Sequence, residues 1–120
     1  MSHPALLERM TAIDGVRAII IAGRDGFVIA RVPESAADID TLAAYGASAL
    51  SAAEGIGAHT HRAALIGLVI EYSDALVALE PLGEYALIIA RLDSAAALVP
   101  LRQALRSLRN ELLAQLDQHA

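Results

Sequence analysis

Apolar residues recur along this chain with two different periods, and the switch between periods divides it into elements. Leu6, Leu7, Met10 and Ile13 keep helical spacing, with Pro4 tolerated in a first turn and Gly15 as a stop, so a first helix is predicted over Pro4 to Ile13. Val16 to Ala22 and Phe27 to Val32 then read as two strands around a tight turn at Arg24-Asp25-Gly26. Gly26 supplies the positive φ that such a hairpin requires. Pro33 closes the second strand and Ser35 caps a long middle helix, Ala36 to Ala58. Ala63 to Tyr72, Ala75 to Glu80 and Tyr85 to Leu92 are predicted strands, separated by turns at Ser73-Asp74 and Pro81-Leu82-Gly83-Glu84. Asp93 or Ser94 caps a last helix running to Gln118, with Pro100 limiting or bending its first turn.

The order is α-β-β-α-β-β-β-α in one domain, residues 1–120. The links between the last three strands are too short for parallel crossovers, so those strands form an antiparallel meander. A strand with one wet face alternates apolar and polar residues. Ile19-Ile20-Ile21 and Leu65-Ile66-Gly67-Leu68-Val69-Ile70 do not alternate, so both faces of the sheet must be covered. The expected fold is α/β in the α+β sense: a three-layer α/β/α sandwich around a five-stranded antiparallel sheet.

The middle helix departs from an ordinary surface helix. On a helical wheel, Ile39, Leu42, Ala43, Gly46, Leu50, Ala53 and Gly57 form the stripe expected to pack on the sheet. The opposite side carries Asp40, Thr41, Ala44, Ala47, Ser48, Ser51, Ala52 and Gly55, with Tyr45 and Glu54 at its rim. Past Asp40 that side is smooth and small, and Ser and Gly are poor helix formers, so it reads as a second packing surface. An alanine-rich composition filling a solvated face is the plainer account. The third strand is long, apolar and uncharged, which is a pairing hazard if it lies at an edge. A symmetric homodimer pairing this strand with its own copy and stacking the two middle helices would cover both surfaces. The expected interface is Ala44, Ala47, Ser48 and Ser51 on the helix, with Leu65, Gly67 and Val69 on the strand.

Composition narrows the chemistry. Apolar residues make up 56% and aromatics 3%, so the core must be aliphatic. No apolar run approaches the roughly 20 residues that cross a bilayer, and the N-terminus lacks the regions of a signal peptide, so a soluble cytoplasmic protein is expected. Absence of cysteine excludes disulfides and thiolate chemistry. The net charge is −5, and no basic cluster is dense enough to track phosphates, so nucleic acid is not an expected partner.

No catalytic constellation stands out, and no cofactor is expected. Gly55-Ile-Gly57 resembles a glycine-rich loop but falls at a predicted helix end, whereas phosphate cradles sit at helix starts. His59 and His61 could share a face of an extended segment, but a third metal ligand is missing at usable spacing, so no metal is expected. Glu71, Glu80 and Glu84 lie at strand ends without a companion nucleophile. Arg102, Arg106 and Arg109 line one flank of the last helix, beside Leu101, Leu105, Leu108 and Leu112. They either face solvent with their stems on leucine edges, or meet an acidic partner or a phosphate. Arg24 and Arg62 are candidates for an arginine finger.

The Gly15-Val16 start, the strand-Arg-Asp-Gly-strand hairpin, the small-residue helix, the Ile70-Glu71 strand end, the meander and the terminal leucine helix together resemble the roadblock (dynein light chain) family. The resemblance runs over about His3 to Leu116 and is strongest to bacterial, MglB-like members. It implies a profilin-like sandwich that dimerises through the third strand and packs its middle helices side by side. It also implies a Ras-like small GTPase docked on the paired helices, here around Thr41, Tyr45, Ser48 and Ala52, with hydrolysis stimulated in some members. The expected function is therefore a homodimeric, non-enzymatic regulator or adaptor for a small GTPase. The alternatives are a scaffold dimer for another signalling or cytoskeletal partner, and a small-molecule sensor, which would need an internal pocket.

Overall fold

A computed structural model describes residues 3–33, 38–60 and 64–118. The elements are α1 (His3–Thr11), β1 (Val16–Gly23), β2 (Val28–Val32), α2 (Ile39–Thr60), β3 (Leu68–Glu71), β4 (Leu76–Leu82), β5 (Ala86–Leu92) and α3 (Leu98–Gln118), with a 3₁₀ turn over Ala95–Ala97 before α3. The five strands form one antiparallel sheet in the order β2-β1-β5-β4-β3. The expected order and sandwich are present. β1 and β5 lie in the middle and are buried along almost their whole length, as their unbroken apolar runs require.

Alternation along the strands deals side chains to two cores. Ile19 and Ile21 of β1, Ala78 and Leu82 of β4, and Ile88 of β5 face α1 and α3, where Leu6, Leu7, Met10 and the α3 leucines Leu101, Leu105, Leu108 and Leu112 fill the space. Ile20 and Ala22 of β1, Leu79 of β4, and Leu87 and Ile89 of β5 face α2, which contributes Ile39, Ala43, Ala47 and Leu50. At Gly46 the helix approaches so closely that a built Cβ would lie 2.5 Å from Ile89 Cδ1.

Several boundaries move for local reasons. The first hairpin is wider than an Asp-Gly two-residue turn: the Gly23 N–H donates to Phe27 O at 2.9 Å, and the Gly26 N–H to Gly23 O at 2.9 Å. Phe27 therefore belongs to the turn, and Gly26 takes its positive φ of 90° there. The register then slips, with Ile21 opposite Ala30 and Ala22 opposite Val28, so Ile29 is the extra residue of a bulge and is exposed. The predicted start of the middle helix, Ala36, lies outside the described residues, and α2 is described from Ile39 to Thr60.

The largest correction concerns the third strand. Ladder pairing covers only Leu68 to Glu71, while β4 runs on through Pro81 and Leu82, which were expected in a turn. Proline explains both. The Pro81 carbonyl accepts a hydrogen bond from Arg109 Nη2 at 3.1 Å, so this residue's backbone faces away from β5, and it has no N–H to offer β3. The β3–β4 ladder stops before it, and residues 64–67 run alongside without regular pairing.

At the other end of the sheet, Arg17 bridges to Asp93 by two contacts of 2.7 Å, joining the start of β1 to the end of β5. The guanidinium's hydrogen bond holds the Asp93 carboxyl below the usual carboxylate range. Asp93 N–H also donates to Gly15 O at 2.8 Å.

Candidate partner-docking surface

Among the described residues, the outer face of α2 is bare. Thr41, Tyr45, Ser48 and Ala52 are all exposed and, following one another at four- and three-residue intervals, share one side of the helix. Asp40, Thr41, Ala44, Tyr45 and Ser48 line a shallow depression of about 390 Å³. Tyr45 is 72% exposed and Ile56, farther along the same flank, is 66% exposed. Small residues with two large exposed apolar side chains are the composition of a contact surface rather than a solvated face. Ile56 was not among the residues expected here, although its wheel position beside Tyr45 and Ala52 carried the signal.

Not every residue expected on this surface is there. Ala47 is only 8% exposed and packs into the core beneath α2, so its place on the outer face is corrected. Its wheel position lies at the border of the buried stripe, next to the flank where Gly26 of the hairpin meets Ala44. Ala44 remains exposed but touches the hairpin, with its Cα 3.2 Å from a Cβ built on Gly26. Ser48 and Ser51 are exposed.

The strand residues divide between the two layers. Leu65 is half-buried against the α2 core, and Val69 packs toward the α1/α3 core. Gly67 also faces α3: a Cβ there would meet Glu80 Cγ at 3.2 Å and lie 3.4 Å from Arg102 Nη2. A side chain at Gly67 would therefore disturb that pair, which makes this position part of the α3 layer.

β3 is the outer strand, so its far side is an open edge. Pro81 faces β3, and by two-residue alternation so do Leu79 and Val77, which pair with Leu68 and Ile70. The backbone groups of Val69 and Glu71 therefore point outward, with no strand beyond them among the described residues.

Arg24, a candidate arginine finger, is committed within the fold. Its Nη1 lies 2.6 Å from Glu54 Oε1, its Nε donates to Ala86 O at 3.1 Å and its Nη2 to Gly83 O at 3.3 Å. It ties the hairpin to α2 and to the β4–β5 turn, and the finger reading is withdrawn. Arg62 and His61 lie outside the described residues. His59 Nδ1 sits 2.8 Å from Gly55 O, a contact within α2. Gly55 and Gly57 lie inside α2, which continues to Thr60, so they do not end the helix as expected. Glu71 of β3 pairs with Leu76 at the start of β4, while Glu80 lies toward the far end of β4 opposite Ile88, so these two glutamates do not come together. No helix among the described residues is long and apolar enough to cross a membrane.

A three-layer sandwich with one thin, bare helix over an open-edged sheet defines a roadblock-type domain. The Roadblock/LC7 domain family model matches residues 4–91, and the chain belongs to that family. A search of curated protein sequences found no significant match. Among solved structures, the gliding protein MglB of Thermus thermophilus superposes with a TM-score of 0.79 at 23% identity, covering 98% of this chain and 89% of that one. MglB of Myxococcus xanthus gives 0.80 at 15% identity, covering 95% and 94%. A Roadblock/LC7 domain from Streptomyces avermitilis gives 0.79 at 15%, covering 94% and 99%.

Proposed function

We propose that this chain is a homodimeric adaptor, without catalytic machinery of its own, that binds a Ras-like small GTPase through the outer face of α2. The observation that carries the reading is the bare α2 face, with Tyr45 and Ile56 exposed, above a sheet whose β3 edge is open. Pairing β3 with its copy would satisfy the outward groups of Val69 and Glu71 and bring two α2 helices to one side of a continuous sheet. Thr41, Tyr45, Ser48 and Ala52 would then form a double-width platform with its aromatic anchors duplicated. The resemblance to MglB-like proteins supports a GTPase as the partner, and fits a regulator of hydrolysis.

Two measurements test this. Light scattering should give a dimer at micromolar concentration, and a monomer would remove the platform. Immobilised protein should retain a Ras-like GTPase of the same genome in one nucleotide state, and lose it when Tyr45→Ala is introduced. Equal retention of the GDP and GTP-analogue forms, or none, would remove the regulatory role.

A further inference from the structure

The other helical layer carries a second surface, half of whose lining residues lie beyond the span that the family model matches. Between α3 and the lead-in to β3 lies a cleft of about 300 Å³, lined by Arg102, Arg106 and Arg109 on one wall and by Leu65, Ile66 and Pro81 on the other, with Glu80 and Leu105 at its base. The three arginines follow one another at four- and three-residue intervals and so share one flank of the helix.

Each arginine is held differently. Arg102 Nε reaches Glu80 Oε2 at 3.4 Å across Gly67, whose missing side chain leaves room for the pair. Arg109 Nη2 takes the Pro81 carbonyl at 3.1 Å, a group left free because proline ends the β3–β4 ladder. Arg106 is exposed and makes no hydrogen bond or ion pair among the described residues. Three guanidiniums face a single carboxylate, so the cleft has an excess of two positive charges in a chain whose net charge is −5. Most of their donors are unused, and a guanidinium's planar fork matches a carboxylate in bidentate fashion.

The walls say more about the ligand. Ile66 is 80% exposed, and Pro81 and Leu105 add further apolar surface to the lining. A free inorganic anion has no use for such walls. No aromatic side chain and no glycine-rich helix start lines the cleft among the described residues, so a nucleotide would lack both a stacking partner and a phosphate cradle. A peptide segment carrying carboxylates beside aliphatic side chains satisfies both features. We infer that the cleft between α3 and the lead-in to β3 is a docking site for an acidic, aliphatic segment of a partner protein. It lies on the opposite layer from α2, so the two surfaces can be occupied together.

Panning a display library of random octapeptides against the whole 120-residue chain tests this site. Enriched peptides should carry at least two carboxylates flanked by Leu, Ile or Val, and their binding should weaken as sodium chloride is raised. Arg106→Glu should reduce their affinity about tenfold or more, and Arg106→Lys should retain part of it. Because the Arg106 side chain has no partner among the described residues, the melting temperature of both variants should stay at the wild-type value. Arg109→Gln gives a second reading from the same cleft and should also weaken binding. The proposal is overturned if no acidic consensus emerges, or if enriched peptides bind Arg106→Glu as tightly as wild type. It is also overturned if inorganic pyrophosphate displaces them at concentrations below their own Kd, the mark of a small-anion site.

Discussion

The two faces of the sheet are covered in opposite ways. Among the described residues, eighteen buried ones form the cluster under α1 and α3, and most of those that the helices supply are Leu or Met. Nine form the cluster under α2, where the helix supplies one Ile, one Leu and two Ala. One layer holds its helices off with large side chains, and the other draws its helix in until Gly46 nearly touches Ile89. A leucine-filled layer is self-sufficient, since its apolar area is buried within the chain. A single thin helix covers less, and its small outer residues let another backbone approach. The asymmetry places the larger share of the buried core under α1 and α3, and on the proposed reading it leaves the α2 face for association between copies.

If so, the faces should break under opposite changes. The α1/α3 face should fail when volume is removed: Leu112→Ala, at a fully buried position, should cost about 2–5 kcal/mol in chemical denaturation. The α2 face should fail when volume is added. Gly46→Leu should cost about 1–3 kcal/mol, because its side chain enters space already held by Ile89 and Leu79. Gly55, on the same helix, is the control. A Cβ there meets nothing within 4 Å, so Gly55→Ala should stabilise the fold by about 0.5–1 kcal/mol through helix propensity. Similar responses from the two glycines would mean that α2 is not drawn in where the contrast requires.

How much of this could be read from the residues differs between the faces as well. The leucines of α3 and the isoleucine run of β1 announce a two-sided sheet by period alone, and the α/β/α layering follows from them. Ala47 shows where period fails. On a wheel it lies between the stripes, and it joins the cluster beneath α2 next to the flank that the hairpin approaches through Gly26 at Ala44. The Arg24–Glu54 pair spans thirty positions of sequence, and no spacing rule reaches that far. The short β3 is legible in part, because Pro81 cannot donate to a neighbour, but Pro81-Leu82-Gly83-Glu84 also matches a turn, and only the ladder with β5 places Pro81 in a strand. The arginine cleft was half visible: the flank was readable, while its opposite wall depends on how residues 64–67 run beside β4.

Arg24 offers an intermediate test, since it clamps the hairpin over the α2 face. Arg24→Ala removes an ion pair and two charge-assisted bonds to carbonyls. Partial solvent exposure weakens all three, so the expected loss is about 1 kcal/mol. Urea denaturation would measure it. A loss no larger than that of an exposed surface arginine would show that the hairpin is held over α2 by packing of Gly26 against Ala44 instead.

The smallest change to the fold should have the largest effect on assembly. Val69 sits in β3 with its N–H directed away from β4, so a proline there removes a donor that the chain itself does not use. Val69→Pro should leave the β3–β4 ladder in place, losing only part of a half-buried side chain, and should cost the monomer about 1 kcal/mol or less. Strand pairing between copies needs that N–H, so light scattering should shift from dimer to monomer while the far-ultraviolet circular dichroism stays unchanged. Val69→Thr keeps the donor and the β-branched shape and should remain dimeric. If both variants dimerise, association runs through the small-residue face of α2 without the strand edge. In that case Ser48→Arg, which places charge on that face, should divide the dimer where Val69→Pro does not.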